Sequence, residues 1–85
     1  MEIVLSSRFQ KSFRQLHLRI QKKTVEKIII FKSNPFDIRL GTHKLHGEKK
    51  EEYAFSIDYS YRVSFIFMED NKVIFTDIGT HDMYK

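Results

Sequence analysis

The spacing of apolar residues changes several times along the chain. Ile3, Val4 and Leu5 form a short apolar run that suits an N-terminal strand. Ser6 and Ser7 follow, and a serine hydroxyl starts a helix by accepting a bond from an otherwise orphan backbone N–H. Phe9, Phe13, Leu16 and Ile20 then recur at helical spacing, with Arg8, Lys11 and Arg14 between them. Past Leu16 the phase is ambiguous. Leu18, Val25, Ile28 and Ile29 share a face, yet no Gly or Pro marks a break near His17. Two helices packed as a hairpin and one long kinked helix both satisfy this pattern. Ser33-Asn34-Pro35 ends the helical region, because proline disfavours helix at the residue before it.

Residues 36–50 lack clean periodicity and hold two of the three glycines. Phe36, Ile38, Leu40 and Leu45 are the apolar anchors expected in this loop, and long loops inside compact domains are more often functional than decorative. The period then becomes two. Tyr53, Phe55 and Ile57 alternate with Ala54 and Ser56, and Tyr61, Val63, Phe65 and Phe67 with Arg62, Ser64, Ile66 and Met68. Asp58-Tyr59-Ser60 turns the chain between these strands, and Glu69-Asp70-Asn71 turns it again. A third strand runs from Val73 to Ile78. The predicted order is β-α-α-β-β-β, an α+β domain over residues 1–85 with the helices on one face of a small antiparallel sheet.

Composition narrows the class. The chain has 85 residues, 41% of them hydrophobic and 14% aromatic, which suits one small core rich in large rings. There is no cysteine, so disulfides and thiolate metal sites are excluded. No apolar run approaches the roughly 20 residues of a membrane span, and MEIVLSSRFQ lacks the pattern of a secretory signal. A cytoplasmic location with no membrane partner is expected. The net charge of +4 is unevenly spread. Residues 8–32 carry eight cations against the single anion Glu26, a net +7 that suits a polyanion or an acidic partner as well as a merely solvated helix face.

Hairpin arithmetic gathers the chemical residues. A turn centred near Asp70 and Asn71 sets Arg62 opposite residue 78 or 79, and a turn near Tyr59 sets it opposite Ser56 or Ile57. Ser56, Arg62 and the run Gly79-Thr80-His81-Asp82-Met83-Tyr84-Lys85 therefore converge on one end of the sheet. The loop bearing His43, Lys44 and His46 enters the first of these strands. Such a set suits RNA cleavage without a metal. Histidine exchanges protons near neutral pH, arginine presents a planar fork to phosphate oxygens, and tyrosine stacks on an unpaired base. A surface histidine at position 81 and a structural Arg62 packed on neighbouring tyrosines are the plainer alternatives. His43 and His46 lack a third convergent ligand, so neither metal nor other cofactor is expected.

The stretches LGTHKLHG, AFSIDYSYRVSFIF and DIGTHDMYK resemble the RelE/ParE toxin superfamily, over most of the chain and in the same order. Within it, the H-K-L-x-G loop and the terminal G-T-H followed by an aromatic are most similar to the YafQ-like mRNA interferase toxins. The resemblance implies a ribosome-dependent endoribonuclease, the toxin of a type II toxin–antitoxin system. It implies His81 as principal acid/base, Arg62 as phosphate stabiliser, and a supporting role for His43. It also implies RNA contacts from Tyr84, with Lys44, His46 and Ser56 around them. Messenger RNA on the ribosome, ribosomal RNA and a cognate antitoxin covering the active surface are the partners it implies. Two departures stand out. The YafQ-like pattern has a further histidine where this chain has Ser56, and an Asp-Trp pair where it has Ser60-Tyr61. The second proton-transfer group is thus unassigned. The alternatives within and beside the family are a ParE-like inhibitor of DNA gyrase and a homologue that binds its antitoxin without catalysis.

Overall fold

The computed structural model describes residues 1–46 and 51–80. Strand β1 (Glu2–Leu5) leads into helix α1 (Ser7–Arg14), and helix α2 (Leu18–Ser33) follows. A short 3-10 turn (Ile38–Leu40) and the two-residue strand β2 (His43–Lys44) occupy the connecting loop. Strands β3 (Glu52–Ser56), β4 (Tyr61–Met68) and β5 (Lys72–Thr80) complete the sheet, whose order is β1-β5-β4-β3-β2.

The expected α+β architecture is present, with two differences in the sheet. β1 runs parallel to β5, Glu2 beside Lys72 and Leu5 beside Phe75, so the sheet is mixed rather than wholly antiparallel. Its direction follows from Ser6, which must both start α1 and meet β5. The Ser6 hydroxyl accepts from the Phe9 N–H at 3.0 Å and donates to the Thr76 carbonyl at 2.9 Å. The second difference is β2, an extra edge strand inside what the sequence presents as loop. The loop's anchors also differ from expectation: Leu40 is buried, whereas Phe36 is largely exposed and Ile38 is 94% exposed.

Two helices form, and a side chain makes the break. His17 is the N-cap of α2, its Nδ1 accepting from the Arg19 N–H at 3.0 Å. A histidine acceptor here satisfies one of the orphan donors of the first turn, as serine does for α1. At the far end, the Asn34 side chain accepts from the Phe36 N–H, turning the chain ahead of the loop.

The rotation of α2 is set by its largest buried ring. Phe31 has no exposed surface and lies 5.0 Å from Phe55, 4.9 Å from Phe65 and 5.3 Å from Phe75, measured between ring centroids. Ile20 and Thr24 share its inward face, and the Thr24 hydroxyl is satisfied by the Ile20 carbonyl at 2.8 Å. The stripe of Leu18, Val25 and Ile29 is turned outward as a result, at 60%, 51% and 64% exposure. Residues 8–32 thus present apolar as well as basic side chains to their surroundings.

Replacing Phe31 with alanine should cost about 3–5 kcal/mol, a large part of the stability of so small a domain. Replacing the equally apolar Ile29 with serine should cost no more than about 0.5 kcal/mol. Urea denaturation of both variants checks the assigned rotation: similar midpoint shifts for the two would contradict it.

Candidate functional site

The helices cover one face of the sheet, and alternation along the strands sends a second set of side chains to the other. On β4, Val63 and Phe65 join the core while Arg62, Ser64 and Ile66 point away from it. Pairing then lines the open face in rows. Arg62 lies between Ser56 on β3 and Gly79 on β5. Ser64 lies beside Ala54, which in turn pairs with His43 on β2. Ile66 lies between Glu52 and Ile74, and Val4 of β1 extends that row.

In the first row, the Arg62 guanidinium donates from Nη1 to the Ser56 hydroxyl oxygen at 3.0 Å. This contact orients the fork across the sheet while both residues stay partly exposed. The turn behind it is also pinned. The Asp58 carboxylate accepts the N–H groups of Ser60 and Tyr61, each at 2.9 Å. Burial pushes that carboxyl up, but the two N–H donors, with Lys23 and Arg19 nearby, outweigh it and hold Asp58 below its ordinary value. A fixed turn fixes the register, and a one-residue slip would carry Arg62 into the core face.

His43 stands at the rim on β2. Its Nδ1 lies 3.1 Å from the Gly41 carbonyl oxygen, and in the tautomer with hydrogen on Nδ1 this nitrogen donates, leaving Nε2 as an acceptor. Gly41 has φ +59°, the left-handed conformation that glycine adopts without strain, and it ends the 3-10 turn where β2 begins. From strand and row spacings, the Cα atoms of His43 and Arg62 are separated by roughly 12 Å. An imidazole and a guanidinium at that spacing can approach one phosphodiester from two sides.

Between the second and third rows lie contacts that periodicity does not reveal. A register shift between Ser64 and Phe65 places Thr76 as an extra residue on β5. Its hydroxyl lies 2.7 Å from the Ser64 hydroxyl and donates to the Glu52 carboxylate at 3.3 Å. The irregularity also lets Asp77 reach α1, where it accepts from the Ser12 hydroxyl at 2.7 Å and pairs with Arg8 at 3.1 Å. No sequence signal marks this bulge.

The structure therefore brings Arg62, Ser56 and His43 to one face. Lys44 pairs with Tyr53, a residue packed against the core, so alternation sends it to the opposite face. His46 is exposed and follows the end of β2. His81 and Tyr84 lie outside the described residues, as does the rest of the C-terminal run past Thr80. Among the described residues, no three His, Asp or Glu side chains are grouped as a metal site, and no helix is long and apolar enough to cross a membrane.

No protein-family model matches the sequence, and no curated relative matches it either. Solved structures do match its fold. The YoeB/ParE toxin from Agrobacterium tumefaciens superposes with a TM-score of 0.79 at 15% identity, covering 95% of this chain and 99% of that one. YafQ from E. coli gives a TM-score of 0.79 at 17% identity, with 96% and 94% covered. A chain of the toxin–antitoxin complex RelBE2 from Mycobacterium tuberculosis gives 0.78 at 15% identity, with 94% and 96% covered. The fold is that of the YoeB, YafQ and RelE toxins.

In the loop that presents His43, Asp37 caps the 3-10 turn. Two hydrogen bonds from the Arg39 side chain and one from its backbone N–H lower the Asp37 carboxyl from 3.8 to about 2. Because the folded value is depressed, its stabilising effect is present above the ordinary carboxylate range and is lost as pH falls toward 2. Carbon-detected NMR titration should find the Asp37 midpoint near 2, returning toward 3.8 in Arg39→Gln. A midpoint that stays near 2 in that variant would mean the Arg39 side chain is not what lowers it.

Proposed function

We propose that this chain is the toxin of a type II toxin–antitoxin pair, a cytoplasmic endoribonuclease that cuts messenger RNA on the ribosome without a metal. The observation that carries this reading is the Arg62 guanidinium, fixed by Ser56 on the open face of the sheet with His43 at the rim. The toxin fold and the residue motifs point the same way. In the solved RelBE2 complex the relative is bound to an antitoxin. A cognate antitoxin is accordingly the expected protein partner here, and ribosomal RNA the expected contact of the basic helices.

The chemistry asks for three things. A base removes the 2′-hydroxyl proton as that oxygen bonds to phosphorus. A cation neutralises the charge on the pentacovalent phosphate, and an acid protonates the 5′-oxygen as its bond to phosphorus breaks. Arg62 supplies the cation, and its fork matches two phosphate oxygens. His81 is the principal proton-transfer group in this proposal. His43, whose Nε2 is an acceptor in the tautomer described above, supplies supporting proton transfer or substrate binding. Tyr84 stacks on or contacts the splayed RNA, with His46 serving the RNA backbone leading to the site, and Lys44, which alternation sends to the opposite face, takes no part. Ser56 positions Arg62.

Mapping of new 5′ ends after induction in cells tests the reading. Cuts inside translated codons are expected for the wild type. Arg62→Ala should lower cleavage by about 10²–10³-fold, the usual cost of removing a transition-state charge stabiliser. Arg62→Lys should not restore it, since a point charge lacks the fork. Ser56→Ala should lower it by only about fivefold, the equivalent of one positioning hydrogen bond. Growth arrest with intact messenger RNA would overturn the proposal in favour of gyrase inhibition by binding.

A further inference from the structure

The turn between β3 and β4 carries a tyrosine that the fold does not use. Tyr59 is 100% exposed, so both faces of its ring lie in solvent. The backbone beneath it is nevertheless fixed. The Asp58 carboxylate accepts from the Ser60 and Tyr61 N–H groups, and the Ile57 N–H donates to the Tyr61 carbonyl at 2.8 Å. A ring on such a turn has only its own side-chain torsions left to lose on binding. Tyr59 precedes Arg62 by three positions, so their Cα atoms are no more than about 11 Å apart. The first turns of α2 stand beside the same turn, where Lys23 and Arg19 both act on the Asp58 carboxylate. These two cations are four residues apart, one above the other on the helix at about 6 Å of rise. Among the described residues, neither forms an ion pair. Glu26, the segment's one acid, follows Lys23 by three positions.

An exposed aromatic ring flanked by cations suits a single-stranded nucleic acid. Every base offers a face to stack on, and the cations follow the backbone. A protein segment fits less well. Its carboxylates would find the cations, but nothing surrounds Tyr59 to form the pocket that an apolar anchor fills. The nearness of Arg62 then selects which strand arrives. We infer that Tyr59 stacks on an unpaired base of the RNA strand held at Arg62, beside the cleaved bond, while Arg19 and Lys23 take phosphates of the same strand. This contact is separate from that of Tyr84, and the identity of the strand rests on the nuclease reading. It meets a need of that chemistry. The 2′-oxygen attacks phosphorus in line with the departing 5′-oxygen, an alignment that a continuously stacked strand does not permit. A base drawn onto Tyr59 opens the strand next to the phosphate that Arg62 grips, bringing the reacting atoms toward attack geometry. Tyr59 is in this sense a positioning residue, since it touches the strand without touching the reacting atoms.

The test uses the whole protein and a short 2′-O-methyl RNA, which has no free 2′-hydroxyl and stays intact. Fluorescence anisotropy should show Tyr59→Ala binding this strand about tenfold or more weakly than the wild type. Its urea midpoint should not move, because the side chain is fully exposed. Tyr59→Phe keeps the ring and should bind within about twofold of the wild type. On an abasic strand the wild type and Tyr59→Ala should bind alike. Arg19→Gln combined with Lys23→Gln should reduce the slope of log affinity against log salt by about 1.4, two phosphates at about 0.7 each. Arg62→Ala should weaken the same strand, since one strand joins both contacts, whereas Ile38→Ser, at another exposed position, should leave binding unchanged. The strand cannot be cut, so intact messenger RNA in cells would overturn the nuclease reading and leave these results standing. Tyr59→Ala binding as tightly as the wild type would overturn the inference. So would a stem-loop RNA whose binding needs Tyr59 but is indifferent to Arg62→Ala, which would assign the ring to a folded RNA. Equal competition by polyglutamate would overturn it too, assigning the surface to an acidic protein.

Discussion

The side chain of Phe31 is the constraint on which the rest of the structure depends. It projects from α2 into rings contributed by β3, β4 and β5, so one residue joins the helical layer to all three antiparallel strands. Phe55, Phe65 and Phe75 also meet one another, and Phe9 brings α1 onto Phe75. Rings packed edge to face and offset fill volume with few rotamers, which suits a chain too short to build a deep core. Everything on the other side of the sheet inherits its position from this cluster. With Val63 and Phe65 held inward, Arg62 and Ser64 have one direction left to point.

β4 therefore serves two purposes at once. Its inward residues are insulated from water, and its outward residues carry the polar apparatus. The strength of this arrangement is also its sensitivity, since strand alternation allows no compromise between the two sets. The Asp58 turn and the Thr76 bulge guard the register from opposite ends. One holds the hairpin that pairs Arg62 with Ser56, and the other corrects the phase so that Ser64 and Thr76 share a side.

Much of this was legible in the chain. Alternation over Tyr53–Ile57 and Tyr61–Met68 located the strands, and turn residues narrowed the partners of Arg62 to Ser56 or Ile57 and to residue 78 or 79, of which Ser56 and Gly79 are the pairs formed. Asp70 and Asn71 turn the chain with φ of 60° and 58°, a conformation these residue types enter more readily than most. Other features were not legible because they depend on tertiary contacts. The rotation of α2 follows from where one large ring fits, whereas Leu18, Val25 and Ile29 advertise a face that the core leaves unused. The break at His17 rests on an imidazole acting as a cap, a part more often taken by serine or aspartate. The parallel placement of β1 and the bulge at Thr76 leave no periodic trace at all. Among the candidate site residues, Arg62 and Ser56 were singled out by chemical type and hairpin spacing together, and His43 by its chemical type on the loop that leads into β3. Neither criterion alone separates them from ordinary surface residues.

The pairing of β1 with β5 has a consequence for how the protein comes into being. Glu2 finds its neighbour Lys72 seventy positions later, and Ser6 bonds to Thr76 across an equal distance. At roughly 5–20 residues per second of synthesis, the first strand waits some 4–14 seconds for the last to be made. Until then the sheet edge is incomplete, Ser6 lacks its bond to Thr76, and Phe31 lacks Phe75. The sheet is thus completed only once β5 has been made, and β1 and β5 act as the clasp of a loop that closes once.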